Sequence, residues 1–279
     1  MALVKLEETL LLFENLFKEL AVRGLKVFHQ NINGLDSKID MLKILLQETK
    51  KSTHLLGITE SHLSNTHVDA QFEIDGYKMI SDRVRGQDGG VCIYIRDDMN
   101  WQRRYDLEHK DIVGIWLELF IKKSKSLLIG FIYRPPNSSK HPSKDFYTFA
   151  NVMSTVTAED KEVILAGDLH CNYLKSSDHK DLKDTIKVNG LKQLIQEPTR
   201  ITKETSTLID IIASTHQFNI VKGIVFANGI SDHDLSGIIR KLNNAKYTPR
   251  RLITRNYKNY NKDVFKNDLK KSRGIPYLE

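Results

Sequence analysis

The chain has 279 residues, 40% of them hydrophobic and 28% charged, which is typical of a soluble globular protein able to bury a full core. It lacks both a run of about 18 apolar residues and a basic-then-apolar start, so neither a membrane-spanning helix nor export by a signal peptide is expected. Only 2 cysteines are present, Cys92 and Cys171, and they form no close pair. These features predict an intracellular protein of the nucleus or cytoplasm, with no membrane partner.

The net charge of +7 is concentrated near the end of the sequence. Residues 240–279 contain 12 Lys and Arg against 3 Asp and Glu, so this segment carries +9 and the remainder carries −2. A nearly neutral body cannot attract nucleic acid by its overall field, so it must hold a phosphate backbone with a few placed groups or a metal ion. The basic segment is interpreted either as a nonspecific DNA-binding tail or as a solvated linker.

The first part of the chain begins with a helical pattern. Residues 3–20 repeat apolar positions at helical spacing before a stop at Arg23-Gly24, which predicts an amphipathic N-terminal helix outside the main domain. Beyond it, short apolar runs that end in polar residues predict strands at residues 25–28, 55–58 and 90–95, and helical spacing predicts a helix at residues 38–48.

The later part continues the mixture of extended and helical patterns. Apolar runs predict strands at residues 112–120, 127–133, 163–166, 208–213 and 237–240. A helix is expected after Pro135-Pro136 and another at residues 186–195, whereas the sequence beyond residue 243 has a weak helical pattern at most. Strands and helices mixed along one chain predict a layered α/β domain with a site at the strand ends.

Polar side chains capable of chemistry follow these predicted strands. They are Asn31, Asn33, Glu60, Tyr133, Asp168, Asp210, Asp232 and His233. Any one of them alone is more simply a surface or capping group. Together they supply carboxylates for a hard cation, a histidine that can contact a phosphate, and amides that hydrogen-bond without adding charge, which predicts hydrolysis of a phosphodiester.

The adjacent pair Asp232-His233 is the most informative part of this set. In a loop, the two side chains can flank one phosphate, but the histidine then needs an orienting partner from elsewhere in the chain. Asp210, which has apolar residues on both sides, is the candidate partner. The alternative is a helix-capping Asp232 beside an exposed His233.

Five motifs occur in the order found in a known superfamily. They are Gln30-Asn31-Ile32-Asn33-Gly34-Leu35, Thr59-Glu60-Ser61, Tyr133-Arg134-Pro135-Pro136-Asn137, Gly167-Asp168 and Ser231-Asp232-His233. In these motifs the chain resembles the endonuclease/exonuclease/phosphatase superfamily, which includes abasic-site endonucleases. The runs Glu197-Pro198-Thr199-Arg200 and Thr207-Leu208-Ile209-Asp210 make it similar to the endonuclease domain of non-LTR (LINE-type) retrotransposons. The match spans about residues 25–243.

The resemblance implies an α/β (α+β) fold, a four-layer sandwich of two mixed sheets packed face to face with helices outside. It divides the chain into the N-terminal helix (residues 1–24), the catalytic domain (residues 25–243) and a basic linker or tail (residues 244–279). It also implies Mg²⁺-dependent nicking of DNA that leaves a 3′-hydroxyl and a 5′-phosphate, with Mn²⁺ as a second possible ion. DNA is the expected partner of a monomer, and the reverse transcriptase of the parent element would lie outside this sequence.

The same resemblance assigns roles to individual residues. The magnesium ligands would be Glu60, Asp232 and Asn33. Asp168 would position or deprotonate the attacking water, while His233, oriented by Asp210, would contact the phosphate. Asn31 and Tyr133 would assist, and Arg134 and Asn137 would contact DNA.

Two residues depart from the superfamily pattern. Asn33 replaces an aspartate of the repair enzymes, which predicts weaker metal binding. His170 occupies the Asn position of an Asp-x-Asn motif whose amide contacts the phosphate, and imidazole is wider than a carboxamide. Asn172 would lie roughly 6.5 Å too far along the strand to compensate.

The departure at His170 predicts a nuclease weakened by about one to three orders of magnitude, or about 1.4 to 4 kcal/mol. Two alternatives remain open at this point. One is a catalytically impaired DNA-binding remnant of a retroelement, and the other is a phosphatase of the same superfamily.

Overall fold

The computed structural model describes residues 16, 18–49, 52–83, 89–122, 124–136, 142–242 and 261–272. The chain divides into two compact units, residues 1–243 and residues 244–279. None of the described helices has the length and apolar character needed to cross a lipid bilayer.

The first unit contains a mixed six-stranded sheet with the order β13-β14-β1-β2-β4-β3. Its strands are β1 (Leu25–Asn31), β2 (Leu55–Thr59), β3 (Tyr77–Ser81), β4 (Val91–Arg96), β13 (Ile220–Phe226) and β14 (Leu235–Arg240). The central strand β1 runs parallel to β2 and antiparallel to β14, so the end of β1 lies beside the end of β2 and the start of β14.

The second six-stranded sheet has the order β5-β6-β7-β8-β12-β9. Its strands are β5 (Trp101–Arg103), β6 (Val113–Leu119), β7 (Leu127–Tyr133), β8 (Glu162–Asp168), β9 (Lys192–Gln193) and β12 (Asp210–Ser214). Here β7 and β8 are parallel and β12 is antiparallel to β8. A separate two-residue ladder joins β10 (Arg200–Ile201) to β11 (Ser206–Thr207).

The described helices of this unit are α1 (Ile39–Thr49), α2 (Asp69–Phe72), α3 (Pro142–Thr157) and α4 (Lys180–Val188). Short 3-10 turns occur at Asp36–Lys38, Tyr105–Leu107 and Gln217–Asn219. The helix predicted at residues 38–48 and the helix predicted after the two prolines are therefore both present.

Alternating side chains of the strands build separate core layers. Val27 of β1 packs in a cluster with Ile129 and Ile164 of the second sheet, while its neighbour Phe28 packs on the opposite side with Leu45 of α1. On the far side of the second sheet, Leu165 packs with residues of α3 and α4. Successive strand residues point to opposite faces, so the sheets pack face to face with helices outside. The predicted four-layer sandwich is confirmed.

One predicted helix is misplaced. A helix was predicted at residues 186–195, but α4 begins at Lys180 and ends at Val188, and the following Gly190 adopts a left-handed backbone with φ of +75°. A left-handed glycine just beyond a helix terminates it. The apolar residues that follow belong instead to the extended segment containing β9, which pairs with β12.

Both ends of the sequence are only partly described. Residues 18–20 are helical, and Leu16 and Leu20 are buried in the cluster that contains Phe28 and Leu46. The end of the predicted N-terminal helix therefore packs on the first sheet. The second unit contains α5 (Lys262–Ser272), where the sequence had suggested a weak helical pattern at most.

A buried ion pair connects the two sheets. Arg240 of β14 donates from Nε and Nη2 to Glu162 of β8 at 3.0 and 2.7 Å, and Asn219 donates to the same carboxylate at 2.8 Å. Arg240→Met should lower the free energy of unfolding by about 3 to 5 kcal/mol, because Glu162 would remain buried without its charge partner.

Urea denaturation monitored by circular dichroism measures this effect. Lys241→Met at the adjacent exposed position is the matched control and should change the free energy of unfolding by less than about 0.5 kcal/mol. Equal effects of the two substitutions would contradict a stabilising role for the Arg240–Glu162 pair.

Candidate active site

The carboxyl end of β1 holds the loop that precedes β14. Ser231 Oγ donates a hydrogen bond to the carbonyl of Asn31 at 2.6 Å, and Gln30 Nε2 donates to the carbonyl of His233 at 2.7 Å. The Ser231 hydroxyl also accepts a hydrogen bond from the amide of His233 at 3.1 Å. The first and last residues of the Ser231-Asp232-His233 motif are thereby fixed to the first sheet.

Asn31, the last residue of β1, joins carboxylates carried by the two different sheets. Its Nδ2 donates to Glu60 Oε1 and to Asp168 Oδ2, both at 2.8 Å. Glu60 directly follows β2, and Asp168 ends β8. Since the amide is neutral, it holds the two carboxylates together without compensating their charge.

The Gly167-Asp168 motif has a steric explanation. A Cβ at position 167 would lie 1.8 Å from the carbonyl oxygen of Ile132 on β7, so only glycine allows this close approach. The resulting register pairs Asp168 with Tyr133 on one side and with Asp210 on the other. Three predicted site residues therefore lie side by side at one edge of the second sheet.

Asp210 and His233 form a buried pair across the two sheets. His233 Nδ1 lies 2.8 Å from Asp210 Oδ2 and 4.0 Å from Asp168 Oδ2. Burial alone would lower the pKa of His233, but the hydrogen bond to Asp210 and the charges of the nearby aspartates raise it above its usual value. Since a carboxylate oxygen accepts hydrogen bonds, this contact places a hydrogen on His233 Nδ1.

The site concentrates negative charge. Burial and then the charge of Asp210 raise the pKa of Asp168, because its ionised form has little compensation. Among the described residues, ligand atoms lie within 4.8 Å of one another in two groups, one of Glu60, Asp168 and His170 and one of Asp168, Asp210 and His233. Carboxylate oxygens with this excess of negative charge fit a divalent cation.

His170 is held firmly at the edge of this site. Its amide donates to Asp168 Oδ1 at 2.8 Å, its Nδ1 lies 2.9 Å from the carbonyl of Arg134, and its ring meets that of Tyr133 edge to face. Burial lowers the pKa of His170, which favours a neutral ring with its hydrogen on Nδ1. Its φ of +47° places the backbone in the left-handed region.

Tyr133, the last residue of β7, borders the site. Its ring rests on Gly89, where a Cβ would lie 2.3 Å from the ring. Burial and then the charge of Glu60 raise the pKa of Tyr133, so the phenol keeps its hydrogen and can donate.

Of the two residues predicted to contact DNA, the structure describes one. Arg134 is partly buried, and its Nη1 donates to the carbonyl of Leu169 at 3.2 Å. Asn137 lies outside the described residues. Both assignments stay predictions.

The three predicted metal ligands, Glu60, Asp232 and Asn33, contact different partners. Glu60 belongs to the cluster described above, whereas Asp232 pairs with Arg200, whose Nε and Nη2 lie 2.9 and 2.8 Å from Asp232 Oδ2. Burial alone would raise the pKa of Asp232, but the hydrogen bond from Arg200 lowers it. Asn33 is exposed, has a φ of +46°, and donates its amide to Asn31 Oδ1 at 3.1 Å.

One residue near the site, His29, was not identified from the sequence, and two others, Thr59 and Arg200, occurred in motifs without a role of their own. His29 lies in the core beside Asp210 and contacts Thr59, and Arg200 lies at the surface against Asp232. Alternation along β1 could have identified His29, because positions 29 and 31 face the same side of a strand. The motif that contains Arg200 gave no indication that this residue would pair with Asp232.

No protein-family model and no curated protein matched the chain. Solved structures did match. The endonuclease domain of TRAS1, a telomere-specific non-LTR retrotransposon, has a TM-score of 0.61 and 16% identity over 79% of this chain and 99% of that chain. The AP endonuclease LMAP from Leishmania major has a TM-score of 0.57 and 14% identity over 78% and 88%, respectively.

Two further matches place the fold in a broader class. The 3′ phosphatase NExo from Neisseria, bound to a product DNA hairpin, has a TM-score of 0.58 and 13% identity over 78% of this chain and 99% of that chain. An endonuclease/exonuclease/phosphatase family protein from Leptotrichia buccalis has a TM-score of 0.52 and 13% identity over 78% and 99%. The chain therefore has the endonuclease/exonuclease/phosphatase fold, and it shares that fold with a retrotransposon endonuclease domain, as the motifs predicted.

Proposed function

We propose that this protein is a Mg²⁺-dependent endonuclease that nicks DNA, as the target-site nuclease of a retrotransposon does. The observation that carries the proposal is the cluster in which Asn31 joins Glu60 to Asp168 while Asp210 orients His233. These groups come from both sheets of a fold shared with a retrotransposon endonuclease domain and AP endonucleases. Water would attack phosphorus as the bond to O3′ breaks, leaving a 3′-hydroxyl and a 5′-phosphate.

Glu60 is the central proposed ligand for magnesium, with Asp232 and Asn33 completing the set. The excess of carboxylates around Glu60 supports a cation there, and Asp232 would have to exchange Arg200 for the ion. Bound Mg²⁺, or Mn²⁺ in its place, would supply positive charge that stabilises the negative charge developing on the phosphate.

The protein's own groups have separate roles in this proposal. Asp168 accepts the proton of the attacking water, which its raised pKa favours. His233, held by Asp210, donates a hydrogen bond from Nε2 to a phosphate oxygen. Asn31 assists by holding Glu60 and Asp168 with its two amide hydrogens, and Tyr133 acts as a neutral donor nearby.

Two alternatives follow from particular observations. A phosphatase is favoured by likeness to the 3′ phosphatase NExo, and an impaired DNA-binding remnant is favoured by His170 in place of an amide. Supercoiled plasmid, DNA ending in a 3′-phosphate and phosphoinositide vesicles form the test panel. The proposal expects nicked plasmid, and release of inorganic phosphate without nicking would replace it with the phosphatase.

His170→Asn should raise the rate of plasmid nicking about tenfold or more. The smaller carboxamide would remove the crowding and restore an amide donor near the phosphate. His179→Asn is the matched control, since His179 also has a left-handed backbone, with φ of +43°, but precedes α4 and belongs to neither group of site carboxylates and histidines. An unchanged rate for His170→Asn would contradict the idea that this histidine weakens catalysis.

The basic tail is proposed to add nonspecific affinity for DNA. Deleting residues 244–279 should then flatten the dependence of DNA binding on salt concentration, because fewer counterions would be released. Fluorescence anisotropy of a labelled duplex at several salt concentrations measures the slope. An unchanged slope would leave the tail as a linker.

The proposed setting of the enzyme is a monomer acting on DNA inside the cell, in the nucleus or cytoplasm. Its proposed partner in the parent element is a reverse transcriptase, which would extend the 3′-hydroxyl produced by nicking. Likeness to the TRAS1 domain supports the link to a parent retrotransposon.

A further inference from the structure

A second histidine lies behind the Asp210–His233 pair. His29, on β1, has its Nδ1 3.7 Å from Asp210 Oδ1, and both side chains are fully buried. Among the described residues, His29 Nδ1 and Asp210 Oδ1 are each without a hydrogen-bond partner, while Asp210 Oδ2 is already engaged by His233. Two unpartnered polar atoms therefore face each other inside the core, where leaving both unpaired is costly.

The other ring nitrogen of His29 determines where its hydrogen lies. Nε2 is 2.9 Å from the hydroxyl oxygen of Thr59, which can either donate or accept. Burial lowers the pKa of His29 to about 4, so the ring is neutral and carries one hydrogen. With that hydrogen on Nε2, a bare Nδ1 would face a carboxylate oxygen. The favourable arrangement places it on Nδ1, with the Thr59 hydroxyl donating to Nε2.

We propose that His29 is a positioning residue that donates a hydrogen bond from Nδ1 to Asp210 Oδ1. A series of hydrogen bonds then runs from one sheet to the other and back, through Thr59, His29, Asp210 and His233. His29 Nδ1 and Asp210 Oδ1, which are 3.7 Å apart, need only a small further approach to form the hydrogen bond that completes this series. With one oxygen held by His29, the carboxylate of Asp210 keeps its other oxygen on His233 Nδ1, so His233 Nε2 stays directed at the phosphate.

The protein contains its own comparison for this arrangement. His54 is also buried and lies beside the same strand, at the end remote from the site, where its Nδ1 accepts a hydrogen bond from the amide of Lys26 at 3.2 Å. That contact requires a bare Nδ1 and places the hydrogen of neutral His54 on Nε2. The two buried histidines should therefore be opposite tautomers.

The first experiment is ¹⁵N NMR of the histidine rings in the full chain near neutral pH, without DNA or added metal. The expected spectrum has His29 protonated at Nδ1 and bare at Nε2, with His54 the reverse. His29→Gln and His54→Gln assign the two signals. A hydrogen on Nε2 of His29 would overturn the proposal, whatever the protein does to DNA.

The second experiment separates positioning from packing and rests on the proposed nicking function. An asparagine at position 29 can place an amide donor where Nδ1 stands, whereas a glutamine reaches toward Thr59. His29→Gln should lower kcat about tenfold or more with little change in KM, and His29→Asn should retain most of kcat.

The controls separate this inference from the proposed function. His54→Gln should leave kcat within about twofold, because it removes a buried histidine that has no contact with the site. A greater loss of kcat in His29→Asn than in His29→Gln, or equal losses, would mean that His29 acts only through packing. If the wild-type protein does not nick DNA, the proposed function fails. The NMR measurement of the His29 tautomer still tests the proposed hydrogen bond to Asp210 in that case.

Discussion

Asp168→Asn should lower the nicking rate of supercoiled DNA by about 10²- to 10⁴-fold, the range expected when a general base is lost. The asparagine has nearly the same shape, and its remaining oxygen can still accept a hydrogen bond from Asn31 or from the amide of His170. It cannot take the proton from water. The loss should therefore fall on kcat, measured by conversion of supercoiled plasmid to open circles.

The wild-type rate should also depend on pH through this group. Because burial and the charge of Asp210 raise the pKa of Asp168, the active carboxylate form is lost as pH falls, and nicking should rise with pH. Asp168→Asn should lack that dependence. Asp181→Asn, at an exposed position of α4, is the control, and an equal loss of activity in the two variants would point to damaged folding instead of a lost base.

Glu60→Gln should lower the nicking rate by about 10²- to 10³-fold at a fixed magnesium concentration, the scale expected when stabilisation of developing charge is lost. A glutamine keeps an oxygen that can accept from Asn31 Nδ2, so the local packing is preserved while one negative charge is removed. The half-saturating magnesium concentration should rise, as measured by titrating the nicking reaction.

An exposed position provides the matched control for Glu60. Glu73→Gln makes the same chemical change next to α2 and should leave both the rate and the magnesium dependence unchanged. If Glu60→Gln behaved like Glu73→Gln, the metal would have to be held elsewhere.

Much of the fold could be predicted from the sequence because the central strands have strong apolar patterns. The strand predicted at residues 127–133 matches β7, and three of the polar residues predicted to follow strands, Asn31, Glu60 and Asp168, meet at one edge. Edge strands such as β3 and β13 were missed, since half-exposed strands carry polar residues and a weaker pattern. The helix predicted at residues 186–195 was misplaced relative to α4 (Lys180–Val188), because the apolar spacing continued past Gly190.

The detailed contacts of the site were harder to predict from the sequence, because they form between residues of the two sheets. The Asp210–His233 pair was predicted from residue type and from the need of a histidine for an orienting partner, and their separation of 2.8 Å agrees. His29 and Asp210 are 181 positions apart and meet only when the sheets pack. The pairing of Asp232 with Arg200 likewise depends on the short β10–β11 ladder, which has no periodic sequence signal.

The most direct measurement of the central claim is the conversion of supercoiled plasmid to open circles by the purified full chain, with Mg²⁺ and with a chelator. The account predicts open circles only with Mg²⁺, ends that a DNA polymerase can extend, and loss of nicking in Glu60→Gln and His233→Ala. DNA binding without Mg²⁺-dependent nicking, or nicking that persists unchanged in both variants, would contradict it.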